Sequence, residues 1–367
     1  MKKTLLILLC TLVLFSDVLW GAAQKPPEKL APPFPKQGVW LNSGPLDKTY
    51  FQGHTTLVYF WDYTSLNCLR DITFVKKWYE AYSSHGLQIL FIHAPEFGFA
   101  KDQGNIAKAL KRYKIPFPVF LDNNFELWNA YKIYAWPTKV LVGPDGSLGL
   151  SQAGEGEYRV TESAIRTLLV TQKAGETLPE PILGEEPPSY DPEVCGPMTS
   201  ETYIGYKRAN WWGGEVANRN WTRQDETMIF KDRGDRVQRG FFLHGLWKNK
   251  EDHFEHDRET RELTDYLGLL YFGSEVYAVM GKESAEKEGR IYVTRDEAPL
   301  MPDFRGKDIQ VDESGRTYVE MDEPRLYHLV ENGDEQQHEI KVWSKNQGVF
   351  VSSFSFSNYC LSQIDIV

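Results

Sequence analysis

At 367 residues the chain is too long for one ordinary core, which predicts two domains. Hydrophobic residues make up 41% and aromatic ones 14%, a composition that excludes disorder for the bulk of the chain. A formal net charge of -10 excludes nucleic acid and anionic lipid as expected partners, because phosphate recognition needs a basic face.

Residues 1–23 read as a secretory leader. Lys2 and Lys3 give the positive start, Thr4 to Phe15 the apolar run, and Gly21, Ala22 and Ala23 the small residues of a cleavage site. Asp17 interrupts the apolar stretch, leaving it short of the roughly 20 residues a membrane anchor needs. No later segment is long and apolar enough to span. The expectation is an exported protein, periplasmic or extracellular, with no transmembrane span after leader cleavage. Of four cysteines, Cys10 departs with the leader, so Cys68, Cys195 and Cys360 remain. An odd number in an oxidising compartment predicts one thiol that is free or paired with another chain.

Residues 24–37 form a proline-rich tether, and order is expected from about Gly38. The run Thr55 to Trp61 is continuously β-prone, as a buried central strand requires. Helical spacing of Leu69, Ile72, Val75, Trp78, Tyr79 and Tyr82 predicts a helix from Cys68 to Ser83. Ser65 is placed as its N-cap and Gly86 closes it. Leu87 to His93 follows as a strand, Asn105 to Tyr113 as a helix, Val119 to Leu121 as a strand and Phe125 to Tyr131 as a helix. Thr138 to Val142 is a strand, the turn Gly143-Pro144-Asp145-Gly146 leads to another, and Thr161 to Val170 is a closing helix. This β-α-β-α-β-α-β-β-α order over residues 38–173 implies parallel pairing in the first part of one sheet.

Residues 174–198 shift to proline and glutamate, the composition of an extended linker. From residue 199 onward helical periodicity gives way to short β-prone runs. They are Gly240 to Trp247, Leu267 to Tyr271, Glu275 to Val279, Arg290 to Thr294, Thr317 to Glu320, Arg325 to Val330, His338 to Trp343 and Val349 to Phe356. Turn residues between them predict an antiparallel β-sandwich over residues 199–367. Cys195 and Cys360 bracket its first and last strands, a position that suits a disulfide stapling the ends.

The chemistry concentrates at Ser65-Leu66-Asn67-Cys68. A dithiol site needs two cysteines three apart at the start of a helix, where free amides and the helix dipole favour the first thiolate. Here a serine holds the first position, and a hydroxyl cannot form the disulfide.

The segment Phe60-Trp61-Asp62-Tyr63-Thr64-Ser65-Leu66-Asn67-Cys68-Leu69-Arg70 resembles the active-site segment of exported thiol–disulfide reductases of the TlpA/DipZ type, in the redoxin superfamily. The resemblance continues through His93-Ala94-Pro95-Glu96-Phe97, Leu121-Asp122-Asn123, Trp128 to Tyr131, Trp136-Pro137 and Gly154 to Tyr158. It implies a thioredoxin-like α/β domain, a shielded Cys68, and a cis proline at Pro137 that positions substrate with Trp136 and Trp61. Ser65 departs from the family pattern. Ser200 to Tyr206 and Glu323 to Val330 resemble the family's second domain, an all-β jelly-roll akin to carbohydrate-binding modules, which implies a glycan ligand by analogy.

Each feature carries a structural reading beside the functional one. Cys68 is either a reactive thiol or an inert buried one; burial away from positive charge favours the second. Glu96 is a candidate proton acceptor for Cys68 or a residue that orients its loop. His93 reads as a structural histidine. Trp211, Trp212 and Trp221 present faces to sugar rings or fill a core. No Cys/His cluster has zinc spacing, and no motif implies a cofactor. Three functions therefore compete: a monothiol oxidoreductase relative acting on thiol or disulfide substrates, a non-catalytic scaffold binding envelope proteins, and a single-cysteine peroxidase. The last rests on the Thr-x-x-Cys likeness of peroxiredoxins and lacks their leading proline, since Trp61 stands there.

Overall fold

The computed structural model describes residues 30–173, 175–182, 195–209, 215–217, 223–284, 289–331, 333–334 and 336–361. The expected leader, and Trp211, Trp212 and Trp221, lie outside the described residues. In the first domain the order is β1 (Val39–Leu41), β2 (Thr55–Trp61), α1 (Leu66–Tyr82), β3 (Leu87–His93), α2 (Gln103–Arg112), β4 (Val119–Leu121), α3 (Glu126–Ala130), β5 (Thr138–Val142), β6 (Leu148–Ala153) and α4 (Tyr158–Gln172). They build one sheet in the order β1-β4-β3-β2-β5-β6. Strands β2, β3 and β4 are parallel, and the remaining pairings are antiparallel.

Strand β2 is the centre, and all seven of its residues are buried. Its side chains alternate: Leu57, Tyr59 and Trp61 join the core beneath α1 and α4, while Val58 and Phe60 join a second core with Leu127, Trp128 and Ile133. Burial on both faces explains why the strand reads as an unbroken apolar run. Helices α1 and α4 start two and three residues earlier than their periodicity suggests. The apolar pattern marks only the face that packs, so the first turn is silent.

The second domain is a two-layer antiparallel β structure, and all eight predicted runs are strands. Six further strands of two to four residues escaped the sequence reading: Thr202–Tyr203, Glu215–Val216, Thr227–Phe230, Phe254–His256, Ala298–Pro299 and Gln310–Val311. Segments that short show no alternation of their own; the strand they pair with defines them. The long strand Gly240–Asn249 serves both layers. Its first half pairs with Asp265–Tyr271 and its second half with Thr227–Phe230 and Phe254–His256. The turnover falls at Gly245, whose φ is +100°. Between the layers lie Leu243, Trp247, Leu267, Ala278, Val293, Val342, Val351 and Phe354. Cys195 and Cys360 are joined in a disulfide, 165 residues apart in sequence, with Cα atoms 5.7 Å apart.

One layer of this sandwich is covered twice. Strands Glu275–Lys282, Arg325–Val330 and Val349–Ser357 are buried on both faces, and Tyr203, Tyr277, Val279 and Leu326 join the core of the first domain. The second domain is docked on the first over loop 94–101 and helices α1 and α2.

Candidate functional site

Parallel pairing of β2 and β3 brings their carboxyl ends together, Trp61 opposite His93. The loop after β2 then enters α1 at Ser65. Antiparallel pairing of Thr138 with Phe60 sets Pro137 beside the same edge, and the Trp136–Pro137 peptide is cis. Three chain segments therefore converge at the start of α1, as ligand sites do at the strand ends of α/β sheets.

Asp62 fixes them. One carboxylate oxygen accepts from the Thr64 amide and hydroxyl, both at 2.7 Å, and the other accepts from the Glu96 amide at 2.6 Å. The indole of Trp136 donates to the Ala94 carbonyl at 2.9 Å, tying the proline loop to the same place. Ser65 occupies the N-cap position with extended backbone, but its side chain makes no capping hydrogen bond. It is turned to the Cys68 thiol instead.

Cys68 is completely buried and is the free cysteine among the described residues. Burial drives its thiol well above the ordinary value; hydrogen bonds with Ser65 and the Asp62 main chain oppose this, and the Asp62 and Asp71 charges add to it. Such a group is a thiol at neutral pH and a poor nucleophile. Ser65 is 7% exposed and Pro137 is buried, so this end of the domain is closed.

Trp61 is not a groove residue. It is fully buried, its ring against Phe91 and His93, because β2 alternation points it under α1. Trp136 is half-buried, its ring 4.3 Å from that of Trp128. His93 is fully buried between Trp61 and Tyr63, neither ring nitrogen has a side-chain hydrogen-bond partner among the described residues, and burial pushes it down to about 3, hence neutral. Glu96 is buried at the domain seam: Oε1 accepts from the Tyr203 hydroxyl at 2.5 Å and lies 3.7 Å from the Arg208 guanidinium. Burial raises its carboxyl, and the Arg208 charge opposes.

Sequence reading missed the residues that complete this environment. Arg208 comes from the second domain, sits over the rings of Phe97, Trp136 and Tyr203 at 5.3–5.7 Å, and donates to the Glu96 carbonyl. Beneath Cys68, Asp71 and Lys139 form an ion pair at 2.5 Å with both side chains fully buried. Burial lifts the Asp71 carboxyl to about 6 against the pull of Lys139. Arg70 turns away from the thiol to grip Glu155 with two hydrogen bonds at 2.7 and 2.8 Å. Asp71 at the third residue after Cys68 was legible as the same helix face; the others are joined only by tertiary structure. Among the described residues no group of three or more His, Cys, Asp or Glu side chains is arranged to hold a metal ion.

The fold and the strand-to-helix site define a thioredoxin-like protein with a fused β domain. Residues 53–148 match a family model described as thioredoxin-like, and residues 199–357 match the thioredoxin-like C-terminal domain. The protein DipZ of Mycobacterium tuberculosis is 31% identical over 341 residues, covering 92% of this chain and 44% of DipZ. The thiol-disulfide oxidoreductase ResA of Bacillus subtilis is 25% identical over 175 residues, 47% of this chain and 92% of ResA. The chain belongs to the DipZ/TlpA-type thioredoxin-like family. It spans less than half the length of the DipZ proteins it matches.

Proposed function

We propose that this protein is an exported, thioredoxin-fold binding module of the cell envelope that does not run a dithiol cycle. The observation that carries the reading is the pair Ser65 and Cys68: the nucleophile position holds a hydroxyl, and the remaining thiol is fully buried. Any redox chemistry left is monothiol chemistry at Cys68 toward thiol or disulfide substrates, the class implied by the relatives. A single-cysteine peroxidase needs a standing thiolate, which the surroundings of Cys68 oppose. Partners in this reading are envelope proteins that present an extended segment near Trp136 and Pro137. Export is supported by the leader-like residues 1–23 and by the Cys195–Cys360 disulfide, a bond that persists in oxidising compartments.

A glycan on the second domain is supported by one specific feature. His244, Tyr266, Trp343, Tyr292 and Tyr318 stand in register across five neighbouring strands on the face opposite the sandwich core. Four of the five are half-buried, leaving ring surface for a flat ligand.

The deciding experiment is alkylation of Cys68 in the full chain at pH 7. The expected rate is at least about a hundredfold below that of the same thiol in denaturant, as a protonated, buried sulfur requires. Reaction within a few-fold of the denatured rate would return the monothiol oxidoreductase as the better reading.

A further inference from the structure

At the seam between the domains one phenol bridges two carboxyl groups. The Tyr203 hydroxyl lies 2.5 Å from Glu96 Oε1, on the first domain, and 2.9 Å from Glu201 Oε2, on the second. The other oxygen of Glu201 accepts from the Ser355 hydroxyl at 2.9 Å. A hydroxyl carries one proton. Both short contacts are hydrogen bonds together only if one of the two carboxyl groups is itself protonated and donates back to the phenol oxygen.

The charges around the bridge point the same way. Asp62 stands behind Glu96, accepting its amide at 2.6 Å, and is fully buried. His93, 3.8 Å from Asp62, is neutral and offers no compensation. Arg208 therefore faces three acidic groups, Asp62, Glu96 and Glu201. Asp252, with His253 hydrogen-bonded to it at 2.7 Å, also lies within reach of the Arg208 charge. Two isolated carboxylates on one buried hydroxyl would repel and lose a hydrogen bond.

We propose that Glu96, Tyr203 and Glu201 form a proton-dependent clamp, in which one bound proton holds the second domain down over the Ser65–Cys68 end of the first. The device is independent of any redox role for Cys68. Burial, with the Glu96 charge beside it, lifts the Glu201 carboxyl to about 7, whereas an exposed glutamate titrates near 4.3. The docked state thus binds the extra proton between roughly pH 4.3 and 7. Docking is strongest below that window, weakens up to tenfold per pH unit as pH rises through it, and levels off above.

The Gly98 amide reports on the seam, because it donates across it to Asp252 at 2.7 Å. Asp252 does not titrate in this window, since the His253 hydrogen bond holds its carboxyl below the ordinary range despite burial. Hydrogen exchange of residues 94–99 in the full chain, corrected for the intrinsic pH dependence of exchange, is measured from pH 4.5 to 8. The wild type is expected to lose protection at least tenfold between pH 5 and 7. Glu201→Gln, whose amide donates at every pH, is expected to flatten that profile, and Glu96→Gln to do the same from the other side. A wild-type profile flat in pH overturns the clamp. So does a pH dependence retained in both variants, which would transfer it to His253 or another group.

Discussion

Both oxygens of Asp62 are committed to the loops that meet at the start of α1, and the side chain is fully buried. Burial raises its carboxyl while the amides of Glu96 and Thr64 lower it, so the residue is held by hydrogen bonds and not by an ion pair. Asp62→Ala strands two buried amides and is expected to cost about 2–3 kcal/mol. Asp62→Asn keeps one acceptor and is expected to cost about half of that. Denaturant midpoints of the two variants, at equal slope, check the order. At this scale the sequence was informative where chemistry and spacing coincide: Ser65 and Cys68 stand out as a helix-start pair three apart. Trp61 was misplaced because the motif names a residue type while β2 alternation decides where it points. Glu201, Tyr203 and Arg208 were invisible as site residues, since the contacts to Glu96 cross more than a hundred positions.

Among the elements, the strand Gly240–Asn249 depends on one residue. Gly245 has φ +100°, and a Cβ there would lie 2.1 Å from the Asp265 carboxyl carbon. Asp265 has no room to yield: it accepts from Arg258, His256, Thr264 and the Leu246 amide. Gly245→Ala is expected to destabilise by about 3 kcal/mol or more, through strain and the loss of this network. Gly234→Ala, at φ +85° with open space around it, isolates the backbone part and is expected to cost about 1 kcal/mol. Thermal melts of the pair separate crowding from conformation. The alternation Phe354-Ser355-Phe356-Ser357 shows a second limit of sequence reading. The phenylalanines point into the sandwich core, and the serines, which pattern alone assigns to solvent, are buried at the domain seam, Ser357 beside Arg70 of the first domain and Ser355 on Glu201 of the second. A polar face turned to another domain looks the same in sequence as one turned to water.

For the molecule as a whole, the seam decides whether two domains unfold as one. Domains joined by a proline- and glutamate-rich linker move independently unless their interface is extensive and apolar. Here Tyr203, Tyr277, Val279 and Leu326 are at most 7% exposed within the core of the first domain, and the rings of Phe99 and Phe350 meet at 5.6 Å across the seam. Polar contacts add less. Arg112 reaches Glu323 at 2.5 Å and Asp322 at 3.0 Å, but Arg112 keeps 35% and Asp322 54% of its side-chain surface in solvent, so screening holds the group to about 1 kcal/mol. Calorimetry of the full chain is therefore expected to show one cooperative transition that 0.5 M salt leaves undivided. Leu326→Ala removes apolar contact at the seam and is expected to cost about 2–3 kcal/mol. Because that loss falls on a side chain of the second domain that packs into the core of the first, it weakens the coupling between them, and the transition is expected to split in two. Two transitions in the unmodified protein would mean that the apolar seam is too weak to couple the domains.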